Sequence, residues 1–156
     1  MDSKLVELIG RNYLTAEVLK AGLEVATPAR DRGIDLIAYA DLDDGGGQFR
    51  ARPIQLKVAL NRVFSIDRKY AKFPDLLLAY VWGLHDLTTS QCYLMSHRES
   101  IAVGDALGWT KTASWRKGYY VTTNPGKKVL GLLAPFKMNP ESLRARVLGD
   151  LRVSKG

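Results

Sequence analysis

Three polar residues stand out for what their types and spacing can do together. Asp35 opens the apolar run Leu36-Ile37-Ala38, while Gln55 and Lys57 alternate with Ile54, Leu56 and Val58 in a second run. Residues two apart on a strand share a sheet face, so Gln55 and Lys57 point the same way. If Asp35 begins a strand beside the one bearing Gln55 and Lys57, a carboxylate, an amide and an ammonium converge. Burying such a group is costly unless its members pair or hold an ion. The chemistry that uses them is metal-assisted. A divalent cation such as Mg²⁺ or Mn²⁺ takes hard oxygen ligands from a carboxylate and an amide or backbone carbonyl. It lowers the pKa of a bound water and neutralises charge developing on a phosphate, while a lysine alongside orients that water or stabilises the phosphate. An acid upstream, Glu7 or Glu17, belongs to the same stretch. Each residue also has a plainer reading. Asp35 could cap the turn after Gly33, Lys57 could be a snorkelling edge lysine, Gln55 an ordinary strand residue, and the glutamates part of a solvated helix face.

These side chains need elements to position them. The spacing predicts a helix from about Ser3 to Ala21, N-capped by Ser3, with Leu5, Ile9, Ala16, Leu19 and Leu23 as its apolar stripe and Gly22 as its stop. Strands are predicted at 23–26, 34–40, 49–60, 63–66, 76–82, 91–95 and 118–123. Further helices are predicted at 99–107 and 139–148. The glycine-rich stretch 41–47 reads as a flexible hairpin connection. The continuous apolar run Leu76 to Trp82 is typical of a strand buried on both faces. This order favours an α/β protein built round a mixed central sheet flanked by helices.

Composition bounds the rest. At 156 residues with 46% hydrophobic side chains, the chain suits one domain with a real core. It excludes a disordered tail, a coiled coil and a collagen-like fibre. No apolar stretch approaches the roughly 20 residues a membrane helix needs. The N-terminus shows no signal-peptide core, and Cys92 is the lone cysteine. A reducing, cytoplasmic setting is therefore expected. His85 and His97 lack zinc-site spacing. Residues 1–97 carry 12 basic and 12 acidic side chains, whereas 98–156 carry 11 basic and 4 acidic ones. The whole net charge of +7 thus sits in the C-terminal part, which favours a polyanionic partner. There Trp109, Lys111, Trp115, Arg116, Lys117, Tyr119 and Tyr120 interleave cations with aromatics, a mixture that holds phosphates and stacks bases. Lys127 and Lys128 follow on a turn, and Lys69 and Lys72 follow the Gln-x-Lys strand.

The helix Leu14–Gly22, the strand Gly33–Ala38 and the strand Ile54–Lys57 together resemble the PD-(D/E)XK nuclease superfamily. That superfamily includes restriction endonucleases, archaeal Holliday-junction resolvases and Mrr-type modification-dependent endonucleases. The resemblance covers roughly residues 5–82. It implies a restriction-endonuclease-like core and a metal-dependent DNA endonuclease. Asp35 would be the metal-binding aspartate and Lys57 the catalytic lysine. Gln55 would stand at the second acidic position, in the Gln-x-Lys form of Mrr-like members. The helix acid would be Glu17, with Glu7 as the alternative, so that Glu17, Asp35 and Gln55 hold the metal. Residues 1–97 would form the catalytic core. The basic part 98–156 would grip DNA through Lys111, Arg116, Lys117, Lys127 and Lys128, helped by Lys69 and Lys72. Because glutamine brings no charge, the alternative is a DNA-binding module of the same fold with impaired catalysis. A structural subunit docking through the apolar stretch Leu130–Phe136 is a further reading. Cutting two strands with one site per chain would call for a homodimer.

Overall fold

The computed structural model describes residues 1–41, 43 and 47–149. The predicted hairpin connection at 41–47 therefore lies largely outside the described residues. Helix α1 (Ser3–Lys20) leads into β1 (Glu24–Ala26), β2 (Leu36–Tyr39), β3 (Ala51–Val58), β4 (Phe64–Asp67), β5 (Leu77–Trp82) and β6 (Gln91–Ser96). There follow α2 (His97–Ala106), α3 (Ala113–Arg116), β7 (Tyr119–Thr122), α4 (Lys127–Leu133) and α5 (Pro140–Leu148). Five strands form a mixed sheet in the order β1-β2-β3-β5-β6, and β4 pairs with β7 in a separate two-stranded ribbon. Within the sheet, β3 and β5 run parallel, from Ile54 opposite Leu77 to Val58 opposite Val81. The other neighbours are antiparallel. The mixed sheet flanked by helices is the architecture the residue pattern predicts.

The sheet divides two apolar cores. Every residue of β5 is buried, because alternate side chains feed opposite layers. Leu77, Ala79 and Val81 join Leu14 and Val18 of α1 and Leu143 of α5. Leu78, Tyr80 and Trp82 join Val103 of α2, Trp109, Trp115 and Leu133 of α4. The C-terminal part is thus built into both layers. Among the described residues no helix is long and apolar enough to cross a membrane.

Three local expectations need correction. Asp2 caps α1, its carboxylate accepting the Lys4 N–H at 3.2 Å, and Ser3 is the first helical residue. The buried stripe is Val6, Gly10, Leu14 and Val18, whereas Leu5 and Leu19 are each 51% exposed. Gly10 explains the shift. A Cβ there would lie 2.5 Å from Val58 Cγ1, so the helix crosses β3 at a distance only glycine allows. The apolar segment Leu130–Phe136, read from sequence as an outer surface, also turns inward. Val129 and Leu133 are buried, and Leu130, Leu132 and Phe136 pack against the second core.

The α1–β3 crossing can be tested directly. Gly10→Ala gains up to about 1 kcal/mol of helix propensity but forces a methyl into a stiff valine, a packing cost of about 1–3 kcal/mol. A net loss of up to about 2 kcal/mol is expected in denaturant unfolding. Val58→Ala should recover part of that loss in the double variant, and a stabilising Gly10→Ala would contradict the crossing.

Candidate active site

The site lies where β2 leaves β3. Leu36 pairs with Ile54, and the Asp35 N–H donates to the Ile54 carbonyl at 2.9 Å. Beyond that point β3 continues without β2 beside it, so its next edge N–H, that of Leu56, has lost its strand partner. Asp35 supplies the replacement. Its Oδ2 accepts the Leu56 N–H at 2.7 Å and the Gln55 Nε2–H at 2.6 Å. An ionised carboxylate only accepts hydrogen bonds, which fixes the Gln55 amide with its nitrogen toward Asp35. One carboxylate oxygen is thereby committed to the backbone and to Gln55, and Oδ1 is left to face the cleft.

Two further carboxylates reach the same place. Ligand oxygens of Glu7, Asp31 and Asp35 lie within 4.8 Å of one another. Glu7 extends from α1 one position past Val6, on the flank of the buried stripe that faces β3's free edge. Asp31 comes from the turn before β2, where its Oδ1 accepts the Gly33 N–H at 3.3 Å. Gly33 takes φ +92, a left-handed conformation that glycine adopts without strain and that folds Asp31 back beside Asp35. Arg11, one turn after Glu7, offsets part of the charge. Its guanidinium is 3.2 Å from Glu7 and 3.5 Å from Asp35 Oδ1. Asp35 is 5% exposed. Burial pushes its carboxyl above the usual range, and the Asp31 and Glu7 charges push the same way; the Leu56 N–H and Arg11 oppose them.

Lys57 stands on the same face of β3 as Gln55 and lines the same cleft of about 700 Å³. Its ammonium lies 4.7 Å over the ring of Tyr70, on the 3-10 turn Arg68–Lys72 that follows β4. Among the described residues no carboxylate pairs with it. Three donors therefore stay available at the edge of an acidic pocket.

The structure thus brings Asp35, Gln55 and Lys57 together and leaves Glu17 elsewhere. At about 100° per residue, Glu7 and Glu17 fall on opposite flanks of the buried stripe, and ten residues separate them by about 15 Å along the axis. Glu17 pairs with Lys20 at 2.9 Å and lines a different depression with Ile9 and Tyr13. Favouring it followed from placing the apolar stripe on the wrong side of α1. Asp31 and Arg11 carry no strong sequence signal. Asp31 looks like turn chemistry, and Arg11 is noticeable only as the residue four after Glu7. Of the basic residues, Lys69 and Lys72 flank Tyr70, and Lys111, Arg116, Lys117, Lys127 and Lys128 are all exposed. Trp109 and Trp115, read as part of an aromatic binding surface, are core residues, 8% exposed each.

No protein-family model matches the chain, and no curated protein matches it in sequence. Among solved structures, a bacterial homing endonuclease, I-Ssp6803I, superposes with a TM-score of 0.51 at 13% identity, over 100% of this chain and 99% of that one. The likeness is one of fold. It spans the ribbon and the C-terminal helices as well as the central sheet.

The raised Asp35 pKa has a sign that can be checked. The folded protein holds this proton to higher pH than the unfolded chain, whose aspartates titrate near pH 3.9. Stability from this group therefore falls as pH rises from the ordinary carboxylate range through the raised value, and stays lower above it. Denaturant titrations of metal-free wild type and Asp35→Asn should differ by that slope. Asparagine can still accept the Leu56 N–H, so the variant should be at least as stable as wild type at neutral pH. A large loss of stability there would contradict a buried, electrostatically strained carboxylate.

Proposed function

We propose that this chain is a divalent-metal-dependent DNA endonuclease of the PD-(D/E)XK kind, in its Gln-x-Lys form. The observation that carries the reading is the convergence of Glu7, Asp31 and Asp35 within 4.8 Å in the cleft lined by Lys57. The overall likeness to a homing endonuclease fold supports it. The donor set fits Mg²⁺ or Mn²⁺, being hard carboxylate oxygens with no sulfur or imidazole among them. Asp35, through Oδ1, would hold the cation with Glu7 and Asp31. When bound, the cation supplies a Lewis acid that lowers the pKa of water and neutralises phosphate charge. Gln55 fixes the rotamer of Asp35 and keeps Oδ2 occupied. Lys57, resting on Tyr70, presents N–H donors to the attacking water or to a phosphate oxygen where negative charge develops.

Gln55 raised the alternative of a DNA-binding module with impaired catalysis. Asp31 favours the enzyme, because it returns to the pocket the negative charge that glutamine does not bring. DNA would be held by the exposed cations Lys69, Lys72, Lys111, Arg116, Lys117, Lys127 and Lys128. Cutting both strands with one such site per chain would take two copies, so a homodimer is part of the proposal.

Incubation of duplex DNA with the protein and Mg²⁺ or Mn²⁺ should yield phosphodiester cleavage that a chelator stops. Lys57→Ala should lower the rate about 10²–10³-fold, the usual cost of removing one charge-stabilising donor. Asp35→Asn should abolish cleavage. Glu7→Gln should slow cleavage at limiting metal, and Glu17→Gln should leave it within a factor of about 2. Cleavage that survives both Lys57→Ala and Asp35→Asn would sink the assignment. In Asp35→Asn, duplex affinity should still fall steeply with salt, by about 0.9 in log K per log salt for each phosphate contacted.

A further inference from the structure

The β4–β7 ribbon stands apart from the central sheet and has two unlike faces. Its pairs are Phe64 with Thr122, Ser65 with Val121, Ile66 with Tyr120 and Asp67 with Tyr119. Strand alternation sends Phe64, Ile66 and Tyr120 inward, where Phe64 and Ile66 are fully buried and Tyr120 stacks on Trp109 at 4.4 Å. The other face carries Ser65, Val121, Asp67 and Tyr119. Tyr119 is 56% exposed and Val121 43%, an aromatic and a β-branched side chain at alternate positions, both about half open to solvent.

Three observations indicate what covers this face. The first is continuity with the carboxylate cleft. Ser65 lines that cleft, and β4 runs straight into the turn whose Tyr70 lies under Lys57. The second is charge. Residues 106–140 contain six lysines and arginines and no acid, with Arg116 and Lys117 just before β7 and Lys127 and Lys128 just after it. Asp67, the acid on the open face, is taken up locally by the Lys69 N–H at 2.9 Å and the Lys69 ammonium at 3.5 Å. The third is shape. Two strands about 4.8 Å apart with side chains on one face make an edge that the major groove of B-DNA, about 12 Å wide, admits.

We propose that the β4–β7 ribbon enters the DNA major groove beside the scissile phosphate, where Tyr119 and Val121 make apolar contact with base edges, thymine methyls above all. The inference rests on the endonuclease reading and adds to it the element that selects sequence. Ser65, nearest the cleft, lies over the base pair closest to the cut. Val121 sits opposite it on the partner strand, and Tyr119 reaches about 7 Å further along. The preferred bases therefore form one short block next to the scission point.

Selection from random-sequence duplexes tests this. Lys57→Ala protein, which cuts slowly enough for bound duplexes to be recovered intact, should enrich a short block of preferred base pairs adjoining the position where wild type cleaves. Adding Tyr119→Ser and Val121→Ser, both exposed positions, should weaken that preference at least about fivefold, the low end of what one base contact supplies. Affinity for the unselected pool should stay within about threefold, since phosphate contacts carry it. Replacing thymine by deoxyuridine in the block should weaken the Lys57→Ala parent and leave the ribbon variant unmoved. If wild type cuts duplex DNA but the ribbon variant selects the same sequences, or no sequence is selected, the ribbon assignment fails and the endonuclease reading stands. Loss of all duplex affinity in the ribbon variant also overturns it, by assigning the strands to grip rather than to reading. If wild type neither binds nor cuts duplex DNA, both readings fall.

Discussion

The hydrogen bond from the Leu56 N–H to Asp35 Oδ2 holds the candidate site together. A strand that loses its neighbour leaves an edge N–H to be satisfied, and an unsatisfied one costs about 1–3 kcal/mol. Here the last residue before β2 turns its side chain back and takes the bond that β2's backbone would have made. This single capping interaction sets where the two strands part, how far the carboxylate is buried and which of its oxygens faces outward. Gln55 completes the arrangement by claiming the same oxygen. The fold thus spends one carboxylate oxygen on structure and keeps the other for chemistry.

The parting of the strands also explains why residues from both layers meet in one cleft. The sheet otherwise keeps its two cores apart. At the free edge of β3, Glu7 and Arg11 come round from the α1 layer, while Lys57 lies toward the second core, supported by Tyr70. Glu7 and the ammonium therefore approach from opposite layers, and among the described residues they form no ion pair. Tyr70 contributes by offering Lys57 the face of an aromatic ring, an attraction that leaves the ammonium's hydrogens free.

Much of this was legible in the residue pattern, and the misses have two causes. β3 and β5 announce themselves by alternation and by an unbroken apolar run, and the shared face of Gln55 and Lys57 follows from spacing alone. α1 misled because its buried stripe passes through Gly10, which counts for nothing in a hydropathy pattern yet decides how closely the helix approaches Val58. Leu5 and Leu19 look like better core residues and are half exposed. The same offset bears on the helix acid, since rotating the buried face moves Glu17 away from the strands and Glu7 toward them. Asp31 was hidden differently. A turn aspartate before a glycine is ordinary local chemistry, and only the fold of the turn shows that its carboxylate meets two others.

The presence of Arg11 among the acids has a consequence for stoichiometry. Glu7, Asp31 and Asp35, when ionised, carry three negative charges, and Arg11 returns one positive charge. The three acids and the guanidinium together are therefore left two charges short of neutrality, which one divalent cation would make good with the guanidinium still in place. A second divalent cation would need negative charge imported from outside the protein, and a phosphodiester is the kind of ligand that brings it.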